Sequence, residues 1–371
     1  MIRSIFVTLV VVVFLPMSAH ASLDSLIVRE PRSYGRLTIF PIELRDDVPH
    51  TYVTLERALA TGRAVIHENN SQKLWIENRS DTDLFIESSA ILKGGQQDRM
   101  VASDMVVAGH DTSRDLNVYC VEKGRSFKRG AEPIETFSAS HEMAPMHHMR
   151  VIAQHELTGM LLTPHLGGRT APDPDQLKLL EALGTMPQFE SIGSDAVQES
   201  IWHDVAQTQT ALSNNLKDSV TRNPSPTSLQ LALESKSLDV PRNSYEKHFG
   251  DLASNIEHSV GAIYALDGKI VGGDMYGSHE MFTSAWHKHL RAWATEAIAL
   301  APTNGANPDL TRDNVLDFLT ASTPGKRAKK QVNDRTLTEA TESQFAFIFT
   351  TRDSRFPDAV IHRAWVVKSP L

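Results

Sequence analysis

The sequence predicts an α+β fold, with a mixed or antiparallel β core built from both ends of the chain and a mostly helical middle segment. Short β-type runs separated by turn residues fill residues 22–127, whereas residues 176–259 show the helical spacing of apolar side chains. Residues 260–371 contain a β-hairpin signal, a long amphipathic helix and two terminal strands. We see no internal repeat and expect residues 22–371 to form a single domain.

The first 21 residues have the pattern of a secretory signal peptide. Arg3 provides a positive start, an apolar run covers residues 5–15, and Pro16 ends that run. Residues 19–21 then give the small-x-small tripeptide that signal peptidase recognises. We therefore expect an exported protein, periplasmic or secreted, that begins near Ser22 and keeps no integral membrane segment after cleavage.

The charge balance is acidic, with a formal net charge of −8. A general nucleic-acid binder needs a clustered basic surface for phosphates, so we expect no nucleic-acid partner. One basic run, residues 326–330, follows Pro324-Gly325 and is expected to be a solvated loop. Because Cys120 is the single cysteine, an internal disulfide is excluded and stability must come from an ordinary hydrophobic core.

The N-terminal third is predicted to be mostly β. Residues 36–44 form a predicted strand that Pro41 interrupts, and such a strand suits a sheet edge better than a sheet centre. Thr54 is expected to cap a short helix. Strands are then predicted at residues 64–67 and 73–77, with a polar turn after the second.

The middle of the chain changes character twice. Residues 128–175 are rich in Pro, His and Met and are expected to form a long loop with at most short helices. After that loop the spacing becomes helical. Helices are predicted over residues 174–183, over residues 194–216, after a cap at Ser228, and over residues 244–256.

The last third has the clearest pattern. Asp267-Gly268 between two apolar runs predicts a hairpin over residues 261–272. Ser278 is expected to cap a helix that reaches about residue 300 and buries a stripe of aromatic and aliphatic side chains. A short helix at residues 312–319 and strands at residues 344–350 and 359–367 complete the chain.

Residues 84–127 contain the main candidate for a binding site. Their apolar, β-type runs are separated by two polar turns that bring together glycines, amides, carboxylates and arginines. Paired glycines allow close approach to a ligand, and a guanidinium matches phosphate or carboxylate. We expect these turns to bind a small polar or anionic ligand, although they also fit ordinary polar turns. The expected ligand-binding residues are Gly94, Gly95, Gln96, Asp98, Arg99, Glu122 and Arg125, with Asp274 as a further member.

Two residues offer an enzymatic alternative. Cys120 lies close to Lys123 and Arg125, which would lower the pKa of a nucleophilic thiol, but its alternation with neighbouring apolar residues also fits a small buried hydrophobe. Asp274, between glycines at the end of a strand, is either a general base or the cap of the next helix. The sequence contains no Walker-type loop, G-x-S-x-G elbow, dinucleotide-binding fingerprint or CxxC pair. We therefore expect no cofactor of a familiar class and name no catalytic residue.

A metal site is the other alternative. The segment with weak periodicity contains imidazole and thioether side chains, which are the ligands that Cu(I) accepts. Their spacing matches no defined metal motif, and they also fit the filling of a loop that packs loosely on the body. The candidate ligands for copper are His141, Met143, Met146, His147, His148 and Met149.

Five stretches together resemble a known domain family, the one associated with ADP-ribosylglycohydrolases and with rhodanese and phosphatase superfamily proteins. They are YVTLERA (residues 52–58), WIENRS (75–80), ILKGGQQDR (91–99), CVEKGR (120–125) and VGAIYALDGKIVGGDMYG (260–277). The resemblance covers most of the chain after residue 21, apart from residues 128–175. It implies an uncharacterised domain with a contextual link to ADP-ribose or nucleotide metabolism. A protein partner is the alternative to a small ligand.

Overall fold

The computed structural model describes residues 26–44, 50–68, 73–130, 132, 134–145, 147–162, 194–300 and 309–368. The signal peptide and the helix expected over residues 174–183 lie outside these residues. The N-terminal strands are β1 (Leu26–Val28), β2 (Arg32–Tyr34), β3 (Leu37–Leu44), β4 (Val53–Thr54), β5 (Ala64–Glu68), β6 (Leu74–Asn78), β7 (Leu84–Ile86), β8 (Ala90–Gly94), β9 (Arg99–Val101), β10 (Met105–Val107), β11 (Thr112–Leu116), β12 (Val118–Cys120) and β13 (Phe137–Met143). The C-terminal strands are β14 (Ser259–Leu266), β15 (Lys269–Tyr276), β16 (Lys326–Gln331), β17 (Thr336–Glu342), β18 (Ala346–Asp353) and β19 (His362–Val367).

The strands form one large sheet and three small ones. The large, nine-stranded sheet has the order β1-β3-β14-β15-β19-β18-β17-β16, with β2 paired to β3, and it is antiparallel throughout. The small sheets have the orders β10-β7-β4, β11-β6-β5 and β12-β9-β8-β13, and β4 pairs with β7 in parallel. In the large sheet β3 from the start of the chain pairs with β14 from its last third, so the predicted α+β class and the core built from both ends are confirmed.

The helices lie mainly between the two groups of strands, as predicted. They are α1 (Leu55–Ala60), α2 (His147–Ala153), α3 (His155–Leu162), α4 (Ser194–Leu216), α5 (Leu229–Leu233), α6 (Lys236–Phe249), α7 (Leu252–Asn255), α8 (His279–Ala299) and α9 (Arg312–Ala321). Among the described residues, no helix combines the length and the apolar character that a membrane span requires.

Helix α8 forms the core against the large sheet, as its pattern predicts. The hydroxyl of Ser278 accepts the backbone N–H of Met281, which caps the first turn. Trp293 is 3% exposed, and its indole stacks on the ring of Tyr264 from β14 with 4.5 Å between the ring centroids. The hairpin that precedes the helix is also confirmed, because Asp267 and Gly268 have φ values of 50° and 71°, as a two-residue turn of this kind requires.

Pro41 lies inside the sheet rather than at its edge, so that expectation is wrong. Strand β3 has β14 on one side and both β1 and β2 on the other. On the second side, β2 pairs with β3 up to Ile39 and β1 pairs with it from Ile42 onward. Pro41 falls in the gap between these two short strands, and its carbonyl accepts the N–H of Arg29. The missing N–H of Pro41 therefore falls where the pairing of β3 passes from one short strand to the other.

Two segments expected to be loops are regular structure. Residues 326–330 belong to β16, which forms the edge of the large sheet and pairs with β17. Exposed lysines along an edge strand oppose edge-to-edge association, which explains why a strand has this composition. Within residues 128–175 the chain forms β13, α2 and α3. Strand β13 pairs with β8, so this part of the expected loop completes a sheet.

Candidate functional site

The two polar turns meet as predicted, but in the protein interior. The Glu122 carboxylate accepts the backbone N–H of Asp98 at 2.9 Å and pairs with the Arg125 guanidinium at 2.7 Å. Arg125 also donates to the carbonyl oxygens of Gly94 and Gly95, at 3.1 and 3.0 Å, and only 1% of its side chain is exposed. The donors that were expected to hold an anion are therefore directed at the protein itself.

Arg129, which the sequence analysis missed, holds this group together. Its guanidinium donates to both carboxylate oxygens of Asp98, at 2.8 and 2.9 Å, and it also contacts Glu122. The hydroxyl of Ser228 donates to Asp98 as well, at 2.8 Å, while its oxygen caps α5 through the N–H of Leu231. The arrangement is a buried bidentate guanidinium–carboxylate pair, with 5% of the Arg129 side chain and none of the Asp98 side chain exposed.

Arg99 lies beside this pair and is also satisfied by the protein. It donates to Glu68 at 2.8 Å and to Cys120 Sγ at 2.9 Å, with 2% of its side chain exposed. The backbone N–H of Gln96 donates to the same Glu68 carboxylate. A Cβ on Gly95 would lie 2.2 Å from the Phe137 ring, so packing accounts for this glycine. We call Glu68, Asp98, Arg99, Glu122, Arg125 and Arg129 the Asp98 network.

Cys120 is half-buried at the edge of the Asp98 network. Burial raises the pKa of its thiol above the ordinary value, and the guanidinium of Arg99 opposes this only in part. A thiol with a raised pKa is protonated at neutral pH, whereas a nucleophilic cysteine needs the thiolate. The geometry favours the structural interpretation of Cys120.

Asp274 lies in a separate group of buried side chains. It projects from β15, and its Oδ1 accepts a hydrogen bond from Arg150 of α2 at 2.6 Å. Tyr276 is also in β15, and the remaining members come from α8, from β19 and from the turns that follow β7 and β9. We call the group the Asp274 cluster; it consists of Glu87, Asp104, Arg150, Asp274, Tyr276, His289 and His362, each at most 8% exposed.

His362 is oriented by a carboxylate on one side of its ring. Its Nδ1 lies 2.7 Å from Asp104 Oδ2, and Asp104 is fixed in turn by the N–H of Ser88 and the hydroxyl of Thr351. Burial disfavours charge on the imidazole, but Asp104 and Asp274 raise the pKa of His362 to about 10. Burial also opposes ionisation of Asp104, yet His362 and the hydrogen bonds lower its pKa to about 2. The carboxylate–imidazole pair is therefore charged.

His289 connects two carboxylates through the two nitrogens of its ring. Its Nδ1 lies 3.3 Å from Asp274 Oδ2, and its Nε2 lies 2.9 Å from Glu87 Oε1. The hydroxyl of Tyr276 is 2.5 Å from both that Glu87 oxygen and that His289 nitrogen. Burial and the Glu87 carboxylate hold the pKa of Tyr276 well above its usual range, so the phenol is a neutral donor.

Charge is unequally distributed in the Asp274 cluster. Three carboxylates, from Glu87, Asp104 and Asp274, accompany a single guanidinium, that of Arg150. Burial disfavours the ionised form of Asp274, but Arg150 and His289 hold its pKa far below its usual range. The cluster therefore keeps a negatively charged centre in the protein interior.

A narrow cleft connects the Asp274 cluster with the surface. Its cavity is about 10 Å³, close to the room that one water molecule needs. Lys288 and Glu56, which form an ion pair, are on its wall. Burial lowers the pKa of Lys288 to about 7. The cleft is lined by Thr54, Leu55, Glu56, Phe85, Glu87, Tyr276, Met281, Ala285 and Lys288.

The residues expected to bind copper lie in different surroundings. His141 is exposed on β13. Met143 and Met149 are 3% and 1% exposed and belong to two different hydrophobic clusters, one beneath α8 and one around α4. His147 and His148 are in α2, and Met146 lies outside the described residues. Copper binding at this segment stays a prediction. The thioethers of Met143 and Met149 lie in separate hydrophobic clusters.

Of the Asp274 cluster, the sequence analysis named Asp274 alone as a site residue. One signal for the others is a polar residue on an apolar face, as with His289 on the buried stripe of α8 and His362 at the start of β19. Glu87, Asp104 and Arg150 carry no comparable signal, because they lie in short turns or in a segment with weak periodicity.

Comparison with known proteins leads to a single family. No curated protein and no solved structure matches the chain. The sequence profile of one domain family matches residues 25–366, which is nearly the whole chain and includes both the Asp98 network and the Asp274 cluster. The chain belongs to the family of the ARG and Rhodanese-Phosphatase-superfamily-associated Protein domain.

Proposed function

We propose that this chain binds a small polar ligand at the mouth of the cleft beside the Asp274 cluster, with one hydroxyl or amine group of the ligand in the space of about 10 Å³ inside the cleft. The observation that carries the proposal is that Glu87 and Tyr276 belong to both the cluster and the cleft wall. A charged, hydrogen-bonded group in the interior thus reaches a place that a ligand can approach. Pockets that combine apolar walls with a few convergent polar groups are the usual binding sites of small molecules.

The wall of the cleft indicates the chemistry of the ligand. Glu87 and Glu56 offer carboxylate acceptors, Tyr276 offers a hydroxyl, and Lys288 is balanced by Glu56. Acceptors of this kind suit hydroxyl or amine groups, as in a sugar or an amine, better than phosphate. The guanidinium groups of Arg99 and Arg125, which were expected to favour an anion, are 2% and 1% exposed and are paired within the Asp98 network. We therefore favour a neutral or cationic ligand over an anionic one.

An acid–base enzyme is the second candidate, supported by the order of groups around His289. A carboxylate, Asp274, holds one ring nitrogen, while the other nitrogen is directed at Tyr276 and Glu87 on the cleft wall. An imidazole oriented in this way passes a proton between a hydroxyl and its own ring. Asp274 acts in this scheme as a positioning residue for His289 rather than as the general base itself.

Binding is tested by a thermal-shift screen against sugars, nucleosides, ADP-ribose, amines and dicarboxylates. A ligand at about a hundred times its dissociation constant stabilises a protein by about 2.7 kcal/mol. The variant Ala285→Leu fills the cleft from α8 without changing a charge, and Ser284→Leu on the exposed face of α8 is its matched control. We expect a shift in the wild type and the control that is lost in Ala285→Leu. The proposal fails if no compound shifts the transition, or if Ala285→Leu responds like the wild type.

We also propose that the protein is exported, on the strength of the pattern in residues 1–21. Cell fractionation followed by mass spectrometry of the N-terminal peptide tests this. We expect the periplasmic or extracellular fraction to contain a chain that begins near Ser22. A cytoplasmic chain that still carries residues 1–21 contradicts the proposal.

A further inference from the structure

We propose that the Asp274 cluster binds one divalent transition-metal ion, with Glu87, Asp274, His289 and His362 as its protein ligands. The inference deepens the proposed function, since Glu87 also forms part of the cleft wall. It rests on that proposal only for the role of the ion, because metal binding itself is measured without any organic ligand.

The first observation is a buried nitrogen directed into the cluster without an aligned hydrogen bond. His362 is 1% exposed, and its Nδ1 is held by Asp104, which leaves Nε2 facing inward. That Nε2 lies 3.2 Å from Asp274 Oδ1 and 3.7 Å from Glu87 Oε1, which makes two ion-pair contacts, although neither has the alignment of a hydrogen bond. A metal-binding histidine characteristically has one nitrogen held by a carboxylate and the other free to coordinate the ion.

The second observation is the convergence of ligand atoms. One atom each from Glu87, Asp274 and His289 lies within 4.8 Å of the others, and His362 Nε2 faces the same carboxylates. Two imidazoles and two carboxylates form a nitrogen and oxygen donor set without thiolate. Such a set suits Zn²⁺, Mn²⁺ or Fe²⁺ and differs from the soft donors that Cu(I) prefers.

The third observation is the charge of the group. The carboxylates of Glu87, Asp104 and Asp274 exceed the Arg150 guanidinium by two negative charges, of which the charged imidazole of His362 offsets one. Buried charges without compensation are costly, so a group of this kind requires a cation or bound protons. A divalent ion supplies the missing charge in one step.

The cleft lies on one side of the proposed metal site. Its cavity of about 10 Å³ has room for about one water molecule, and Glu87 and Tyr276 separate it from the rest of the cluster. Four protein ligands complete the tetrahedral coordination of Zn²⁺, whereas an ion that takes five or six ligands, such as Mn²⁺ or Fe²⁺, keeps a position for water or for a hydroxyl of the ligand. Sites that keep a position open in this way are typical of catalytic rather than structural metal ions.

A second group with ligand-like geometry lacks these properties. His50, Asp83 and Asp353 also lie close together. Both of those carboxylates, however, form ion pairs with Arg335 and Arg355, so the group is already supplied with positive charge. This difference makes the second group a suitable internal control.

The experiment is a titration of the chelator-treated full chain with Co²⁺ and Zn²⁺, monitored by visible absorption for cobalt and by metal analysis after gel filtration. We expect one ion per chain. His362→Gln and Glu87→Gln should weaken binding by at least about 100-fold, and Asp104→Asn, which only orients His362, by about 10- to 100-fold. His50→Gln, from the second group, and His141→Gln, on the exposed face of β13, should bind like the wild type.

Two results overturn the inference: a wild type that retains no ion, or a folded His362→Gln that binds as tightly as the wild type. If the variants do not fold, X-ray absorption of the zinc-loaded wild type decides. It should show imidazole and oxygen ligands at about 2.0–2.1 Å, and a sulfur ligand or the absence of imidazole contradicts the site. If the chain binds metal but no organic compound shifts its thermal transition, the metal site is supported and the ligand proposal fails. If an organic compound shifts the transition but the chain binds no metal, the ligand proposal is supported and the metal site fails.

Discussion

The Asp98 network and the Asp274 cluster are both groups of buried charges, and they differ in their balance. The network places three arginines against three carboxylates, with Glu132 as a partly exposed addition. The cluster places one arginine and two histidines against three carboxylates, and the inward nitrogen of His362 forms ion pairs without an aligned hydrogen bond. A balanced group in which each guanidinium has a carboxylate partner offers a ligand nothing to bind. An unbalanced group beside a cleft has charge that a ligand can compensate. The two kinds of group can be distinguished only when the partners of each charge are known.

The largest expected effect is the loss of a guanidinium from the balanced group. Arg129→Met leaves Asp98 buried without its main partner and removes one of the two guanidinium partners of Glu122, and breaking such a pair costs about 3–5 kcal/mol. Urea denaturation monitored by circular dichroism measures the change in the free energy of unfolding. The matched control, Lys123→Met, removes an exposed pair with Glu199 and should cost less than about 1 kcal/mol. If the two variants lower the free energy of unfolding equally, the buried network contributes no more to stability than a surface ion pair.

The reactivity of Cys120 is a second measure of solvent access to the Asp98 network. Because burial raises the pKa of its thiol, we expect iodoacetamide to modify the native chain at least about tenfold more slowly than the chain unfolded in guanidinium chloride. Mass spectrometry over time gives both rates from the only thiol in the protein. Arg99→Met tests the opposing influence of the guanidinium, and its removal should slow the native reaction further. A native thiol that reacts as fast as the unfolded one would instead favour the nucleophilic interpretation.

A smaller effect is expected at Asp83, in a balanced group that solvent reaches. Burial opposes ionisation there, but hydrogen bonds from Arg335 and His50 lower the pKa of Asp83 to about 2, from an ordinary 3.8. A carboxyl with a lowered pKa stabilises the fold above about pH 4, and this contribution is lost as the pH falls towards about 2. Because solvent screens the pair, Asp83→Asn should reduce the acid-induced loss of stability by about 1 kcal/mol. Denaturation of both proteins between pH 5 and pH 2 measures the difference, and parallel curves contradict it.

The parts of the fold that were predicted correctly carry local signals. The hairpin follows from Asp267-Gly268, and the long helix follows from the cap at Ser278 and the stripe that contains Trp293. Pro41 was misplaced because its tolerance depends on where two other strands end, which no local pattern records. The basic strand β16 was missed for a related reason, since an edge strand with exposed lysines has the composition of a loop.

The site was harder to predict because its contacts join distant segments. Arg150 and Asp274 are 124 residues apart, and Asp104 and His362 are 258 residues apart. The proximity of the two polar turns was foreseen, but their burial depends on Arg129, which lies in the segment without clear periodicity. The residue types in the two turns therefore indicated which groups lie close together. Whether those groups are available to a ligand depends on Arg129, which already pairs with them.

The smallest effect is expected from Glu87→Gln, which tests the imbalance directly. In the metal-free protein this change removes one of the excess negative charges while keeping an oxygen to accept the Tyr276 hydroxyl, so stability should change by less than about 1 kcal/mol. The same substitution at Glu122 removes a charge that Arg125 and Arg129 both need and should cost about 3 kcal/mol. Urea denaturation of both variants after chelator treatment gives the two values. If Glu87→Gln is as destabilising as Glu122→Gln, the Asp274 cluster is held together by its own charges, and the argument that it requires a cation loses its basis.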